Sequence, residues 1–159
     1  MNDIYYKENT PLYLPDLKEA EGIEANDATE INLPQLKKCS WIQANKATKL
    51  NLPQLTECKI IYADSAEEIN LPQLKKCKDI YADSIIEMNL PQLKACDDIY
   101  AYSATVIVLP ELEKCGNIEA SEVFVFDAPK LKKHGEIPKQ QRKLKPETMK
   151  TFKDFLGEL

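Results

Sequence analysis

The apolar positions of this chain recur at a fixed interval of 19 residues. A Leu-Pro dipeptide, counted here as positions 1 and 2, opens each unit, and the full unit reads L-P-x-L-x-x-C-x-x-I-x-A-x-x-A-x-x-I-N. The dipeptides are Leu14-Pro15, Leu33-Pro34, Leu52-Pro53, Leu71-Pro72, Leu90-Pro91, Leu109-Pro110 and the weakened Ala128-Pro129. Because a short unit cannot bury its apolar face alone and must stack on its neighbours, this period predicts a solenoid.

Two short strands are predicted in each unit. The pairs Ile-x-Ala at positions 10 to 12 and Ile-x-Leu at positions 18 to 1 have the two-residue alternation of a strand. The remaining apolar positions are three residues apart, which predicts corners or tight turns. Proline directly after the second strand withdraws a donor from the ladder. We therefore expect a mostly β, right-handed solenoid of about seven 19-residue coils, with parallel strands stacked about 4.8 Å apart.

The repeat also resembles a known family. The run Ile-x-Ala-x-x-Ala-x-x-Ile-x-Leu-Pro-x-Leu-x-x-Cys, found between Ile4 and Ile137, is similar to short bacterial leucine-rich repeats. The period is shorter than usual, and Ala stands where the common consensus has a buried Asn. The resemblance implies a strand face that binds ligands, and the two departures favour a straighter, flatter solenoid than a closed horseshoe.

Both ends depart from the repeat and are predicted to be caps. Residues 1–137 form the predicted solenoid, with a degenerate capping half-coil in 1–13 and the repeats in 14–137. Residues 138–159 read as a basic linker followed by a C-terminal amphipathic α-helix that opens at Pro146. Apolar residues at helical spacing give this helix one hydrophobic face.

An apolar patch is predicted near the C-terminal end. Positions that are polar and outward in earlier coils become apolar in the last ones, and the patch with its predicted helix partners comprises Ile86, Val106, Val108, Phe124, Val125, Met149, Phe152 and Leu156. Exposed apolar surface of this size is uncommon on monomers. Three hypotheses stay open: the helix folds back as a cap, two chains meet here in a homodimer, or the helix is an arm that binds a partner.

Composition narrows the class of protein. The chain has 159 residues and a formal charge of −5, which indicates one domain and argues against general nucleic-acid affinity. We expect no membrane span and no signal peptide. The five cysteines share position 7, where Ala20 stands in the first unit. We therefore interpret them as small core residues in a reducing cytoplasm.

Catalysis finds little support in the sequence. The chain has one histidine, His134, which falls in the cysteine column and is interpreted as a capping core residue. Four scattered glycines cannot build a phosphate-binding loop. No nucleophile and base pair or metal-ligand spacing is evident. We expect a protein without enzymatic activity, cofactor or metal.

The strongest candidate site lies on the first strand of each coil. Positions 9, 11 and 13 flank the inward Ile and Ala columns and should form one continuous surface. The candidate binding residues on it are Trp41, Tyr62, Asp64, Asp79, Tyr81, Asp83, Asp98, Tyr100 and Tyr102. Tyrosine and tryptophan concentrate in binding hot spots, and surrounding acid would steer a basic partner. Stacked tyrosines also stabilise a sheet without any partner, but repeat copying alone does not explain why the ladder is confined to three middle coils.

Three functional hypotheses follow. The first is a non-catalytic protein-interaction module, an inhibitor or adaptor of bacterial or phage origin, that binds a basic protein. A specific version is a phage-encoded or mobile-element-encoded inhibitor of a bacterial nucleic-acid-targeting defence nuclease, acting in the host cytoplasm. The second class is a structural solenoid that forms homo-oligomers through its apolar end. An enzyme is the weakest hypothesis. The lysines at positions 5 and 6 are interpreted as a solvated face, and the asparagines at position 19 as a hydrogen-bond ladder.

Overall fold

The chain folds as a parallel β-solenoid with about 19 residues in each turn. The computed structural model describes residues 2–121 and 123–138. The strands within these residues are β1 (Ile4–Tyr5), β2 (Leu12–Tyr13), β3 (Glu19–Glu24), β4 (Glu30–Asn32), β5 (Lys38–Gln43), β6 (Lys49–Asn51), β7 (Ile60–Tyr62), β8 (Glu68–Asn70), β9 (Asp79–Tyr81), β10 (Glu87–Asn89), β11 (Asp98–Tyr100), β12 (Val106–Val108), β13 (Asn117–Glu119) and β14 (Val125–Asp127).

The strands stack coil on coil in a fixed register. The first sheet has seven parallel strands in the order β1-β3-β5-β7-β9-β11-β13, and the second face carries two separate sheets, β2-β4-β6-β8 and β10-β12-β14. Partners are 19 residues apart, as in the pairs Ile61↔Ile80 and Ile80↔Ile99. The predicted repeat therefore defines the hydrogen-bond register as well as the core.

The observed elements refine the prediction in three ways. Most strands occupy positions 9 to 11 and 17 to 19, one residue earlier than expected. The residue directly after the first strand still hydrogen-bonds to the next coil, as Ala44 N donates to Tyr62 O at 2.8 Å. A third line of parallel bridges joins position 6 of successive coils, for example Glu57↔Lys76. The described residues complete about six turns rather than seven, because the turn that opens at Ala128 forms a bridge at Lys133 but no strand.

The turns explain why proline recurs at position 2. The amide of position 4 donates to the carbonyl of position 1, as Leu55 N does to Leu52 O at 3.2 Å. Position 2 is then the second residue of a β-turn, where the fixed φ of proline fits and no amide is needed. A similar bond, from Ala66 N to Ala63 O at 2.9 Å, closes the turn between the two strands. Small residues in these corners let the turns pack tightly.

Position 7 is a buried column, as predicted. The five cysteines are free thiols and each is no more than 6% exposed. Each sulfur lies near main-chain carbonyls; Cys39 Sγ, for example, donates to the carbonyl of Trp41 at 3.1 Å. Burial raises the pKa of Cys39 to about 12. These thiols are core residues that hydrogen-bond to the backbone.

The asparagine column forms the predicted ladder, but only in part. Asn51 Nδ2 donates to Asn32 Oδ1 at 2.9 Å, and Asn70 Nδ2 donates to Asn51 Oδ1 at 2.7 Å. The ladder ends at Asn70, because the next strand of this face, β10, does not pair with β8. The second face is therefore divided between the third and fourth coils, which the sequence did not lead us to expect.

The division coincides with a larger core side chain in the fourth coil. Position 15 is Ala in the first three coils and Ile85 in the fourth. Ile85 is buried, so it needs space between the two faces of the solenoid. Since cores are packed to near-crystal density, added methylenes displace the neighbouring backbone. We attribute the step between β8 and β10 to this added volume.

Predictions for the C-terminal end lie largely outside the described residues. The proposed helix, with Met149, Phe152 and Leu156, and most of the basic linker belong to 139–159. In the described part of the chain, no helix has the length and apolar character needed to span a bilayer.

Candidate functional site

The tyrosines of position 11 form a stack along the first sheet. The rings of Tyr62 and Tyr81 have centroids 4.7 Å apart and are inclined by 19°, and those of Tyr81 and Tyr100 are also 4.7 Å apart and inclined by 8°. This spacing matches the distance between neighbouring strands of a sheet. Because the faces of Tyr81 are covered by its neighbours, the stack offers ring edges and a row of hydroxyl groups to a partner.

Tyr102 lies beside the upper end of this stack. Its ring centroid is 6.5 Å from that of Tyr100 and the planes are tilted by 45°. The Tyr102 hydroxyl donates to Glu119 Oε2 at 2.6 Å, and this bond raises the pKa of Tyr102 to about 12. The ring remains 44% exposed. Glu119 is not among the predicted site residues, since a contact between positions 13 and 11 of successive coils is not evident from the repeat.

Trp41 lies apart from the tyrosine stack. Its indole ring covers Gly22 in the preceding coil, where an added Cβ would collide with the ring atoms. Gly22 is buried and pairs in register with Trp41. The structure therefore gives Trp41 a packing contact toward the N-terminal end, and the tyrosine stack begins one coil later at Tyr62.

Acidic side chains flank the tyrosine stack on both sides. Asp64 and Asp83 share position 13 in adjacent coils, and Asp79 and Asp98 share position 9. All four are half-buried. Within residues 2–121 and 123–138, none of the four forms an ion pair. Like charges at the same position of adjacent coils repel one another, on strands at position 9 and in turns at position 13, so these two rows carry a cost in the isolated chain.

The row at position 13 is the less satisfied of the two. Solvent exclusion and then the neighbouring Asp83 charge raise the pKa of Asp64 above its usual value. One oxygen of Asp83, Oδ1, is buried and finds no hydrogen-bond partner among the described residues. Buried polar atoms without partners are rare in folded proteins and call for an explanation. Asn26, at the same position of the first coil, has an equally buried Oδ1 without a partner among the described residues, so the feature belongs to the turn at position 13.

The row at position 9 has more internal support. Asp98 Oδ1 accepts a hydrogen bond from the backbone amide of Asn117 at 2.7 Å, so this carboxylate also links two coils. Solvent exclusion raises the pKa of Asp79; nearby Lys78 opposes the shift and Asp98 adds to it. Burial and the Asp79 carboxylate likewise raise the pKa of Tyr81. The charges and rings of this surface are therefore close enough to perturb one another.

We refer to Tyr62, Tyr81, Tyr100, Asp64, Asp79 and Asp83 as the Tyr/Asp face. The three tyrosines stack on one another and the backbone of Asp98 hydrogen-bonds to Asp79, whereas no ion pair among the described residues neutralises the three carboxylates. The other three predicted residues, Trp41, Asp98 and Tyr102, each make an intramolecular contact described above.

The apolar patch is only partly exposed. Ile86 is 51% exposed and Phe124 is 43% exposed, whereas Val108 is half-buried. Val106 and Val125, which pair in register on β12 and β14, are buried although both lie outside the continuous core cluster.

Other candidate chemistry is sparse. His134 was interpreted as a core residue but is exposed, with Nδ1 2.9 Å from the Gly135 carbonyl, because it lies at the end of the described solenoid. In the described part of the chain, no three His, Cys, Asp or Glu side chains gather as a metal site requires. Comparison of the chain with protein families, curated proteins and solved structures finds no match.

Proposed function

We propose that this chain is a non-catalytic protein-interaction module whose Tyr/Asp face binds a basic segment of a partner protein. The observation that carries the proposal is the pair of acidic rows on either side of the stacked tyrosines. No ion pair among the described residues neutralises a carboxylate of either row. Lysine or arginine side chains of a partner would neutralise these rows.

The tyrosine stack suits this role energetically. Its rings are already ordered by their neighbours at 4.7 Å, so little side-chain entropy remains to be lost when a partner binds. Apolar ring edges supply contact area, while the flanking carboxylates supply charge complementarity. Such complementarity accelerates association and selects against acidic partners.

The leucine-rich-repeat resemblance of the sequence supports the same surface, since that family uses its strand face for ligands. An inhibitor that occupies the basic nucleic-acid channel of a defence nuclease is one concrete form of the proposal. Its test is direct: nuclease activity should fall when the chain is added, and unchanged activity with the chain in excess would count against this form.

Capture experiments test the general proposal. The bait is the full chain, and its variant carries Asp64→Asn and Asp83→Asn. Basic proteins captured by the parent should be lost by this variant and released as salt is raised, because exposed charges are screened. The matched control carries Asp3→Asn and Asp16→Asn, which change the net charge equally at exposed sites away from the face. Equal capture by the variant and the control would refute the proposed surface.

The tyrosines need a separate control, because stacking stabilises the fold as well. Tyr81→Ala should reduce capture, and the control Tyr5→Ala removes an exposed tyrosine of the same sheet outside the stack. Capture is compared after each variant is confirmed to be folded. Retained capture by folded Tyr81→Ala would show that the stack serves the sheet alone.

A second proposal concerns self-association at the apolar patch. Ile86 is 51% exposed at position 16, where the first two coils have threonine. If two chains meet there, Ile86→Thr should lower the mass measured by light scattering at high concentration. A monomeric mass for the parent chain at all concentrations would exclude this proposal.

A further inference from the structure

Two valines on the outside of the second face are buried. Side chains alternate along β12 and β14, so Ile107 at position 18 lies in the core while Val106 and Val125 at position 17 point outward. Position 17 is exposed in the first four coils, at Glu30, Lys49, Glu68 and Glu87. Val106 and Val125 are only 5% and 4% exposed. Their outer side must therefore be in contact with other protein atoms.

Val125 is the more informative of the two valines, because its strand lies at the end of a sheet. Among residues 2–121 and 123–138, no strand pairs with the outer edge of β14. The residues that would stack on Val123 and Val125 in a further coil are Arg142 and Leu144, beyond the described ranges. Val123, in the core at position 15, is nevertheless only 1% exposed. The last coil is therefore covered both at its open end and on its outer surface.

Elimination identifies the segment that covers the last coil. Every described strand lies in a wall of the solenoid, so none of them passes over the outside of the second face. The parts of the chain outside the described ranges are Met1, Glu122 and 139–159. Met1 belongs to the opposite end, where Asn2 O accepts a hydrogen bond from Glu21 N. Glu122 is a single residue and cannot cover valines of two coils. The segment 139–159 remains.

The length of this segment suits the path that it must follow. Pro138 stands at position 11 of its coil, on the side of the first sheet. The linker 139–145 can extend over roughly 23 Å, at about 3.3 Å for each residue, whereas packed faces are about 10 Å apart. The linker is therefore long enough to cross the open end above Val123 and to reach the outside of the second face.

The apolar residues of 146–159 match the surface that this path reaches. Met149, Phe152, Leu156 and Leu159 are spaced to share one face of an α-helix. A helix of this length extends roughly 21 Å, and three neighbouring strands such as β10, β12 and β14 span only about 10 Å across a sheet. One helix is thus long enough to cover both outward valines.

We propose that 139–159 closes the C-terminal end of the solenoid. The linker crosses above Val123, and the helix of 146–159 lies across β12 and β14 with its apolar face on Val106 and Val125. Of the three hypotheses that the sequence leaves open, this proposal selects the cap. Removing the valines from water stabilises the last two coils. Ile86 remains 51% exposed, so the surface considered above for self-association lies outside this contact.

Paramagnetic labelling of the full chain tests the proposal. Thr151→Cys places a thiol on the polar side of the predicted helix, and a nitroxide reagent attaches there first because the five native thiols are buried. The valines of the chain are Val106, Val108, Val123 and Val125, so valine methyl signals report on this region alone. The nitroxide should broaden the signals of Val106 and Val125 relative to the reduced, diamagnetic label, and it should leave the Ile23 methyl signal of the first coil unchanged. Unchanged signals of both valines would overturn the proposal.

A mixed sample determines whose segment lies on the valines. Chains with the nitroxide and no methyl isotope are combined in urea with isotope-labelled chains that lack the nitroxide, and the two are refolded together. The proposal predicts no broadening in this sample, because each segment covers its own chain. Broadening of Val106 and Val125 here would assign the covering segment to a second copy and would refute the proposed intramolecular contact.

Substitutions within the segment test the apolar contact itself. In the Thr151→Cys chain, Phe152→Ser removes an apolar side chain from the proposed contact, and it should abolish the broadening and lower the midpoint of urea denaturation. Asp154→Ser alters the polar side of the same predicted helix and should change neither quantity. The Ile23 signal reports whether each variant is folded. Equal broadening in the two variants would rule out apolar packing as the cause. Both should capture a basic partner equally, since neither alters the Tyr/Asp face.

Discussion

Neutralising the acidic row at position 13 should stabilise the chain while it weakens partner capture. Asp64 and Asp83 lie in adjacent coils without an ion pair, and the carboxyl of Asp64 has a raised pKa because of solvent exclusion and the Asp83 charge. Asparagine has nearly the same shape and no charge, and its amide can donate to the remaining carboxylate. Asp64→Asn and Asp83→Asn are therefore the perturbations of choice.

The expected gain is modest because water reaches both side chains. Two unit charges about 5 Å apart repel by roughly 0.8 kcal/mol at the dielectric constant of water, and by more where solvent is partly excluded. Like-charge cross-strand pairs cost roughly 0.2–1 kcal/mol in measured sheets. We expect either single substitution to raise the free energy of unfolding by about 0.5–1 kcal/mol, or the melting temperature by about 1–4 °C. The second substitution should add less, because one neutral partner already removes the repulsion.

The sign of the pH dependence follows from the raised pKa. The folded chain holds the Asp64 proton at pH values where the unfolded chain, with a pKa near 3.8, has released it. The associated stability is full below pH 3.8 and is lost as pH rises through the higher folded pKa. The advantage of Asp64→Asn over the parent should therefore be largest near neutral pH and should shrink toward pH 4.

Urea denaturation at pH 7 and pH 4, followed by circular dichroism, measures both effects. Asp16→Asn, at an exposed position outside the acidic rows, is the control and should change stability by less than about 0.5 kcal/mol. A loss of stability at pH 7 in Asp64→Asn would show that contacts within the chain already stabilise the Asp64 carboxylate. No cationic partner would then be needed at this position.

Other predictions concern packing and the repeat itself. Gly22→Ala should displace the Trp41 indole, which shifts the fluorescence of the sole tryptophan and lowers the free energy of unfolding by about 1–3 kcal/mol. Ser121→Ala is a control at an exposed position. An unchanged emission spectrum of Gly22→Ala would contradict the contact between Gly22 and Trp41. The Cys39 thiol, with a pKa of about 12, should react with a disulfide reagent at pH 8 only as fast as the chain unfolds, because the thiolate is the reactive form. Rapid labelling of Cys39 in native buffer would contradict this. Deletion of the 19 residues 33–51 should leave a folded chain whose urea m-value falls by about one-sixth. Deletion of 18 residues puts the coils before and after the cut out of register by one residue, and should leave a chain with a lower free energy of unfolding than the 19-residue deletion.

The repeat interval predicts those parts of the fold that depend only on the spacing of residues along the chain. An interval of 19 residues was enough to place Tyr62, Tyr81 and Tyr100 in one column, and the structure stacks their rings. The same spacing placed the cysteines in one buried column. These predictions succeeded because each residue meets its own counterpart in the next coil, so column membership determines contact.

Features that depend on side-chain direction or volume could not be predicted this way. Whether Trp41 leans over Gly22 or toward the tyrosines is a rotamer choice that spacing does not set. The break between β8 and β10 coincides with extra methylenes at Ile85, whose effect depends on how tightly the coil is packed.

The break between β8 and β10 and the stacking of Tyr62 on Tyr81 lie at the same coil junction, and this affects how the solenoid should unfold. In a solenoid, stability is a sum of repeat terms and nearest-neighbour interfaces. The junction between the third and fourth coils lacks the strand pairing that its neighbours have, and each lost hydrogen bond is worth about 0.5–1.5 kcal/mol. Stacking of Tyr62 on Tyr81 returns roughly 0.5–1.5 kcal/mol, the value of one such bond. The stack therefore does not compensate for the missing pairing, and this junction is the weakest of the interfaces between complete coils.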